Sequence, residues 1–535
     1  MNSTGVIPFI KKFNCYLAIF EINDDYKFHI MKKKHNLFTF LAGIGLIILP
    51  HLLPAQTVEQ YEIFELTLKG PETGNPFTDV ALNAEFKFKN RILKPEGFYD
   101  GNGMYKIRFM PDAVGEWSYI TFSNIKELNG KTGKFICSPA KENNHGPVYI
   151  RDVFHFGYAD GTPFYPVGTT CYAWVWQGDE LVSQTLRTLA GTVFNKIRMG
   201  IFPKVYSIYI NNEPPLYPYE GSKEKGWDFQ RFNPVYFQYF EKQLDELKKL
   251  GIEADVILFH PYDWGKWGFD NMSRESNDLY LHYVVARMAA FRNVWWSFAN
   301  EWDIIRGKTI EDWERYARIV VENDPYQHLR SIHNGMKWYD VSKPWITHLS
   351  VQTPYFENIQ DWRETYRKPV IIDECVYEGD IPTDWGNLPA EELVHRFWVA
   401  YTRGAYCTHG ETYDNPEKIL WWSRGGKLNG ESPDRLAFLH KIMTQAPETG
   451  LIPFHNLWNK ETYLYKKDEY YLYYYGINQQ KYAKIHLPKD IKFTIEVIDA
   501  WNMTITPVEG VFSGETDIPL PGKNYVAVRA RAIKI

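Results

Sequence analysis

Apolar and polar residues alternate along the first part of the chain, from residue 56 to residue 150. Residues 61–68 and 84–89 have the two-residue period of half-buried strands. Clusters of Gly, Asn and Pro separate such runs, and the run Met104–Phe109, a short turn and a second apolar run together indicate a hairpin. The pattern predicts an immunoglobulin-like β-sandwich over residues 56–150.

From residue 151 the pattern changes to short apolar runs that alternate with helical stretches. The predicted strands are residues 164–171, 194–201, 254–259, 294–299, 329–332, 348–352, 370–373 and 405–408. Helices are predicted over residues 234–250, 276–292, 309–323, 389–401 and 433–443. Eight strands, each followed by a helix or a long loop, predict a (β/α)8 TIM barrel over residues 151–446. An open doubly wound sheet is the alternative, and it is disfavoured because no Gly-rich nucleotide loop follows the first strand.

After residue 446 the helical pattern stops. Residues 463–465, 470–474, 493–498 and 525–528 are strand-like and are separated by turns. A second, C-terminal β-sandwich is therefore predicted over residues 447–535. The fold class is α/β, a barrel flanked by a β-sandwich domain on each side.

The N-terminal region has the pattern of an export signal. A basic stretch begins at Met31, an apolar stretch follows, and Ala55 offers a small residue for cleavage. Residues 31–55 are predicted to be a signal peptide and residues 1–30 an upstream extension, so that the protein is secreted or periplasmic and its mature part has no membrane span. A membrane anchor is the alternative, although the apolar stretch is short for one.

Composition limits the function classes further. The formal net charge of −5 and the absence of a basic block argue against a nucleic-acid partner. Four cysteines follow the predicted signal, which is too few for a disulfide framework, so buried free thiols are expected. Aromatic residues make up 17% of the chain, which suits either stacking on sugar faces or large cores.

Polar side chains stand where the predicted barrel strands end, which is where TIM-barrel active sites form. In strand order these residues are Trp174, Arg198, His260, Asn300 with Glu301, His333 with Asn334, Gln352 with Tyr355, Glu374, and His409 with Glu411. A carboxylate at the end of the fourth strand and another at the end of the seventh would provide the pair that glycoside hydrolysis requires. We therefore predict an enzyme that acts on carbohydrate.

Each carboxylate has an alternative interpretation. Asn300-Glu301 alone is also typical of a helix N-cap followed by an acid in the first turn. Asp373 and Glu378 compete with Glu374 for the second catalytic role. Strand alternation is expected to point Asp373 to the opposite face from Glu374.

The strand ends resemble those of clan A glycoside hydrolases, in which Asn-Glu ends strand four and Glu ends strand seven. The three-domain order resembles more closely a group common in gut Bacteroidetes, with an apiosidase-like barrel between two sandwiches. Its motifs are matched by Phe98-Tyr99-Asp100-Gly101, Gly115-Glu116-Trp117, Asp373-Glu374-Cys375 and Leu420-Trp421-Trp422-Ser423. The resemblance implies a retaining hydrolase in which Glu301 is the acid/base and Glu374 the nucleophile, with Arg198 beneath it.

The remaining roles follow from this assignment. Glu301 needs a raised pKa to donate its proton, Arg198 is expected to keep Glu374 ionised, and Asn300 is expected to bind the hydroxyl next to the anomeric carbon. Other candidate substrate contacts are His260, His333, Tyr355, His409, Glu411 and three tryptophans, Trp174, Trp385 and Trp422. For the tryptophans core packing is the alternative, for the histidines a packed and hydrogen-bonded role, and for Glu411 a salt bridge.

Two other functions are open at this level. The barrel would serve as a sugar platform in a non-catalytic carbohydrate-binding protein, and the same two carboxylates would serve a transglycosidase. Zinc, nucleophile-elbow and phosphate-loop motifs are missing, so neither a metal nor an organic cofactor is expected. The identity of the sugar depends on loop shapes that the pattern does not encode.

Overall fold

Eight parallel strands at the centre of the molecule form a nearly closed barrel, which confirms the predicted fold class. They are β1 (Val167–Thr170), β2 (Lys196–Gly200), β3 (Glu253–Phe259), β4 (Val294–Ala299), β5 (Arg330–Ser331), β6 (Leu349–Gln352), β7 (Val370–Glu374) and β8 (Tyr406–His409). Hydrogen bonds run from β5 through β4, β3, β2, β1, β8 and β7 to β6. A single bridge between His333 and Ser350 joins the two ends of this sheet.

The computed structural model describes residues 56–205, 213–456 and 461–534, all within the compact unit Pro54–Ile535. The predicted signal peptide, residues 31–55, and the extension before it lie outside the described residues. A helix long and apolar enough to cross a membrane was not found among the described residues. The thiols of Cys137, Cys171, Cys375 and Cys407 are free and buried, as expected.

Helices cover the outside of the barrel; the five predicted helices are present, and Asp179–Ala190 and Ile359–Tyr366 were not predicted. They span Asp179–Ala190, Pro234–Lys249, Arg274–Met288, Ile310–Asn323, Ile359–Tyr366, Ala390–Thr402 and Ser432–Thr444, with a short helix at Trp421–Arg424. Single 3₁₀ turns span Trp174–Trp176, Phe269–Asn271 and Trp302–Ile304. The Pro234–Lys249 helix starts as predicted, with the side chain of Asn233 capping the amide of Val235 and Pro234 in the first turn.

The first barrel strand is shorter than predicted. Residues 164–171 divide at Pro166, which has no N–H for a sheet ladder. The segment before it, Pro163–Phe164, pairs instead with His155–Tyr158, which pairs in turn with Val148–Arg151. The predicted domain boundary at residue 150 therefore falls inside a strand of this small sheet.

The N-terminal domain consists of two antiparallel-rich sheets around an aromatic core. One sheet contains Thr57–Glu59, Thr132–Ser138, Gly115–Ser123, Leu82–Phe88 and Arg91–Leu93, and the other contains Phe64–Lys69, Met104–Phe109 and Gly97–Tyr99. Phe86 stacks on Phe109 with a centroid distance of 4.1 Å, and Phe64 stacks on Phe135 at 4.2 Å. These side chains come from the inward-facing positions of the alternating pattern.

The C-terminal domain is also all-β. Its six-stranded sheet contains, in order, Ile452–Asn456, Glu461–Lys466, Tyr470–Tyr474, Val526–Ala532, Phe493–Asp499 and Thr504–Phe512. A two-stranded sheet, Tyr482–His486 with Glu515–Pro519, packs against it through an apolar cluster. Two short pairs lie in the barrel loops: Tyr219–Ser222 with Gly226–Phe232, and Glu378–Gly379 with Glu411–Thr412.

A buried ion network joins the N-terminal domain to the barrel. Arg108 of the first domain donates to Glu241 at 2.9 Å and to the backbone carbonyl of Arg287 at 2.8 Å. Arg287 in turn pairs with Asp100 of the first domain at 2.8 Å. Arg108, Glu241 and Arg287 are all less than 10% exposed. Because their partners come from both domains, these charges are buried where the two domains pack together.

We expect Arg108→Ala to lower the free energy of unfolding by about 3 kcal/mol, because it leaves Glu241 buried with one partner fewer. Chemical denaturation followed by tryptophan fluorescence measures this change. The matched control is Lys134→Ala, which removes an exposed partner of Glu116 and is expected to cost less than about 1 kcal/mol. Equal losses in the two variants would contradict a buried network between the domains.

Candidate active site

Four charged side chains fill the inside of the barrel below the strand ends. Lys196 contacts Asp255 at 2.9 Å and Asp373 at 2.7 Å, and Arg198 contacts both carboxylates at 3.2 Å. All four side chains have no exposed surface. Two cations and two anions leave the group neutral, and the two cations hold the pKa of Asp373 far below its usual range against the effect of burial.

Arg198 connects this ion group to the end of the fourth strand. Its second guanidinium nitrogen donates to Oδ1 of Asn300 at 2.8 Å, and the hydroxyl oxygen of Tyr172, whose one proton goes to Glu374, lies 3.1 Å from the same oxygen. The bond from Arg198 orients the Asn300 amide. Its nitrogen is buried and has no hydrogen-bond partner among the described residues, so it is a donor available to a ligand.

Glu374 ends β7, and a change of register determines where its side chain points. Val351 pairs with Ile372 but Gln352 pairs with Glu374, so Asp373 is the extra residue of a bulge. The expectation that Asp373 and Glu374 face opposite sides is therefore wrong. Asp373 reaches the interior ion group, and Glu374 accepts a hydrogen bond from the Tyr172 hydroxyl above it.

Glu301 follows β4 in a left-handed backbone conformation, with φ of 51°. Such a conformation is uncommon for a residue with a side chain and persists only where its surroundings enforce it. On one side the Trp302 amide donates to the His333 carbonyl at 3.0 Å. On the other, the carboxylate of Asp303 accepts from the amides of Gly335, Met336 and Lys337.

Two further residues position the Glu301 side chain and its backbone amide. The hydroxyl of Tyr262 donates to Oε2 of Glu301, and the ring of His260 accepts from the Tyr262 amide at 3.2 Å. His333 accepts from the Glu301 amide at 3.4 Å. His260 and His333, both predicted from the strand ends, thus lie where they orient the acid.

Gln352, the last residue of β6, bridges the two catalytic candidates. With its side-chain amide turned so that the nitrogen faces the carboxyl groups, this nitrogen lies 3.2 Å from Oε1 of Glu301 and 3.3 Å from Oε2 of Glu374 and can donate to both. Since both distances share this nitrogen, the two oxygens lie no farther apart than the sum of the distances, about 6.5 Å. One side chain therefore contacts both carboxyl groups.

The surroundings shift the pKa values of Glu301, Lys204 and His260 at this site. Burial, and after it the charge of Glu374, raises the pKa of Glu301 to about 8. The ammonium of Lys204 lies about 4 Å from the rings of Tyr172, Tyr262 and Trp422, and burial lowers its pKa to about 7. Burial also lowers the pKa of His260 to about 4, so this ring is neutral near pH 7.

Aromatic residues and a cavity border the carboxylates. Trp422 contacts Tyr172 edge-on at 5.8 Å and Trp385 at 4.8 Å, and Trp385 is half-buried. On the side of Tyr262 and Glu301, a cavity of about 600 Å³ is lined by Pro261, Trp264, Gly265, Asp270, Asn271, Ile304 and Arg306. Trp264 exposes 58% of its surface there.

Several predicted contacts lie elsewhere. Trp174 is fully buried in the core, and Tyr355, 62% exposed, lies three residues beyond Gln352, which contacts the carboxylates instead. Thr408 points inward to Asp373, so the next residue, His409, points outward and stacks on Phe194 at 4.7 Å. Glu411 accepts from the amides of Asn429 and Gly430 and anchors that loop.

Among the described residues, Glu378, His409 and Glu411 form a buried group whose donor atoms lie within 4.8 Å of one another and could hold a metal ion. The contacts fit a structural role better. The Glu378 carboxylate accepts hydrogen bonds from the amides of Glu431 and Ser432. The Glu411 carboxylate accepts hydrogen bonds from the amides of Asn429 and Gly430. Four successive backbone amides thus already bind the two carboxylates.

Sequence reasoning missed three residues that contact the carboxyl pair, Tyr172, Tyr262 and Gln352, and it missed Lys204, which contacts the two tyrosine rings. Gln352 could have been chosen, because it stands at the predicted end of strand six. Tyr172 and Tyr262 each lie two residues from a predicted contact, Trp174 and His260. Strand period does not specify side-chain direction in the loop beyond a strand, so the pattern could not rank these neighbours. Lys204 had no signal of its own.

Three family models match the chain in the order of its domains. A model of the apiosidase-like catalytic domain matches residues 152–468. Two domains of unknown function, DUF5060 and DUF5605, match residues 57–124 and 458–531. A search of curated proteins gives no match.

Solved structures give the same architecture. A Bacteroides vulgatus protein classed provisionally as a glycoside hydrolase is 40% identical, with a TM-score of 0.85, over 89% of this chain and 100% of that one. A glycoside hydrolase family 5 protein of the same species is 16% identical, with a TM-score of 0.57, over 72% of this chain and 94% of that one. A third structure, titled only glycoside hydrolase, has 15% identity and a TM-score of 0.56 over 72% of this chain and 97% of that one. The two distant likenesses concern the fold alone.

The raised pKa of Glu301 predicts a pH-dependent stability difference for Glu301→Gln. The folded state holds the Glu301 proton more tightly than the unfolded chain, so wild-type protein loses stability as the pH rises from about 4.5 to about 8. The glutamine variant lacks this loss. We expect its melting temperature relative to wild type to increase from pH 5 to pH 9, measured by scanning calorimetry. A difference that stays constant across this range would contradict a protonated, buried Glu301.

Proposed function

This chain belongs to the family of the apiosidase-like catalytic domain, and we propose that it is a glycoside hydrolase that works by retaining double displacement. Glu301 is the acid/base and Glu374 the nucleophile. The substrate is a carbohydrate with an O-glycosidic bond. The observation that carries the proposal is the contact of both carboxyl groups with the Gln352 amide, at the strand ends where barrel active sites form.

In the first step Glu374 attacks the anomeric carbon while Glu301 gives its proton to the glycosidic oxygen. The bond between carbon and leaving oxygen breaks, and a covalent glycosyl–Glu374 ester forms. In the second step Glu301, now ionised, takes a proton from water, and the water oxygen displaces Glu374. Each step inverts the anomeric carbon, so the sugar is released with its original configuration.

The protonation states that this reaction needs are favoured by the site. Burial raises the pKa of Glu301 to about 8, so the free enzyme has its acid protonated near pH 7. The upper limit of about 6.5 Å between the two bridged oxygens is compatible with retention. Inverting enzymes separate their carboxyl groups by about 6.5–9.5 Å to leave room for water, and retaining enzymes by about 5–5.5 Å.

Asn300 supports the reaction from the sugar side. Arg198 donates to its amide oxygen, so the buried nitrogen is the part available to a ligand as a donor. A donor beside the nucleophile is suited to the hydroxyl next to the anomeric carbon, where hydrogen bonds strengthen in the transition state. The leaving group then departs on the Glu301 side, toward the cavity that contains Trp264.

Azide tests both assignments, because its product records how many displacements occur. The substrate is whichever aryl glycoside the wild-type enzyme cleaves in a panel of sugars. In Glu301→Ala the ester still forms and azide displaces Glu374, giving a glycosyl azide of retained configuration. In Glu374→Ala azide attacks the substrate directly and gives the inverted glycosyl azide. Without azide, we expect each variant to hydrolyse the substrate about 10² to 10⁴ times more slowly than wild type. Proton NMR identifies the products.

The matched control is Glu357→Ala, which removes an exposed acid outside the site and is expected to hydrolyse like wild type. Hydrolysis at the wild-type rate by Glu374→Ala would reject the nucleophile. A glycosyl azide of retained configuration from both variants would reject the assignment of Glu301 as acid/base and Glu374 as nucleophile. Wild-type protein that binds oligosaccharides but cleaves none of the panel would favour a non-catalytic binding protein.

We also propose that the protein is exported, on the basis of the basic and apolar segments that begin at Met31. Expression of the full chain in a Gram-negative host is expected to yield a periplasmic or secreted form whose N-terminus lies near Gln56. Edman sequencing of that form measures the cleavage point. An uncleaved chain recovered with the membrane fraction would favour an anchor instead.

A further inference from the structure

We propose that Lys204 is a positioning residue whose ammonium charge keeps Glu374 ionised beside protonated Glu301. This inference rests on the proposed function and gives Lys204 a share in the role that the strand-end pattern predicts for Arg198. Lys204 follows β2 by four residues and is 2% exposed. It acts on the carboxylates through space and through the rings of Tyr172 and Tyr262.

The charge of Arg198 is already balanced. Asp255 and Asp373 lie 3.2 Å from its guanidinium, and the second cation there, Lys196, contacts the same two carboxylates. That group of four is neutral. A further positive charge beside the nucleophile adds to the effect of Arg198, since an isolated buried carboxylate is costly.

Lys204 provides that charge from the opposite side. Its ammonium contacts the rings of Tyr172 and Tyr262 at 3.9 and 4.0 Å, and the hydroxyls of these tyrosines donate to Glu374 and Glu301 respectively. Trp422 contacts the ammonium at 4.0 Å. Cation–π contacts with three rings stabilise a charged lysine in a place that water does not reach.

The groups that influence Lys204 have opposing effects. The carboxylates of Glu374 and Glu301 raise its pKa, while burial and the charge of Arg198 lower it, to about 7 overall. Lys204 in turn lowers the pKa of Glu301 and of the His260 ring. With Glu301 protonated, Lys204 and Glu374 cancel, and the site as a whole is neutral in the state that begins the reaction.

The test is the pH dependence of kcat/KM for Lys204→Met, with the aryl glycoside that wild type cleaves. Loss of a nearby positive charge makes both carboxyl groups harder to ionise. The acidic limb, which reports Glu374, and the alkaline limb, which reports Glu301, are both expected to move up by about one pH unit. Lys204→Arg keeps the charge and is expected to restore both limbs toward their wild-type positions.

A purely structural role would lower the rate and leave the limbs in place, and that result would overturn the inference. The matched control is Lys266→Met, which removes a lysine from above Trp267 at 4.6 Å without facing the carboxyl pair. Its limbs are expected to match wild type. If Glu374→Ala hydrolyses normally the proposed function fails, whereas unmoved limbs in Lys204→Met beside an inactive Glu374→Ala reject the role of Lys204 alone.

A second measurement covers variants that do not fold. Lysine side-chain NMR of labelled wild type follows the titration of Lys204, assigned by the signal missing from Lys204→Arg. Because the charge of Glu374 raises the pKa of Lys204, Glu374→Gln is expected to lower it. A Lys204 titration that is the same with and without the Glu374 charge would overturn the inference.

Discussion

The neutral group of Lys196, Arg198, Asp255 and Asp373 is the constraint on which the site depends. Charges of this kind are stable inside a barrel only while every member keeps its partners, so the group specifies one arrangement of β2, β3 and β7. Arg198 transmits that arrangement upward by fixing the Asn300 amide. The carboxyl groups of Glu301 and Glu374, the proposed catalytic pair, thus stand above a group whose own charges are balanced.

The hydroxyls of Tyr172 and Tyr262 lie above this group. Tyr172 and Tyr262 each donate to one carboxyl group, and Gln352 donates to both. These residues come from the loops after β1 and β3 and from the end of β6, so the pair is held from three directions. Neutral donors suit this task because they orient both carboxyl groups without forcing either to be ionised. What distinguishes Glu301 from Glu374 must therefore come from burial and from the charges around them.

The sequence predicts the barrel strands that carry this site better than the side-chain contacts of Glu301 and Glu374. Eight buried strands produce apolar runs that can be recognised in the sequence, and Glu301 and Glu374 stand at the ends of two of these strands. The bulge at Asp373 breaks strand alternation through a register shift with β6, a pairing between strands that no single-strand pattern contains. Trp174 packs in the core for a related reason. Beyond a strand end the side chain that turns inward is selected by loop geometry, which selects Tyr172 and Gln352.

Arg198 illustrates how the closed barrel changes the surroundings of a predicted residue. The barrel brings two aspartate partners to its guanidinium, so its charge acts on them as well as on Glu374. We propose that a second counter-charge is a group whose own ionisation responds to the site. A lysine whose pKa is lowered to about 7 does so, since each carboxylate that ionises favours its charged form. The proposed acid Glu301 and Lys204 are then coupled through their charges, and we expect the pH range of activity to reflect both.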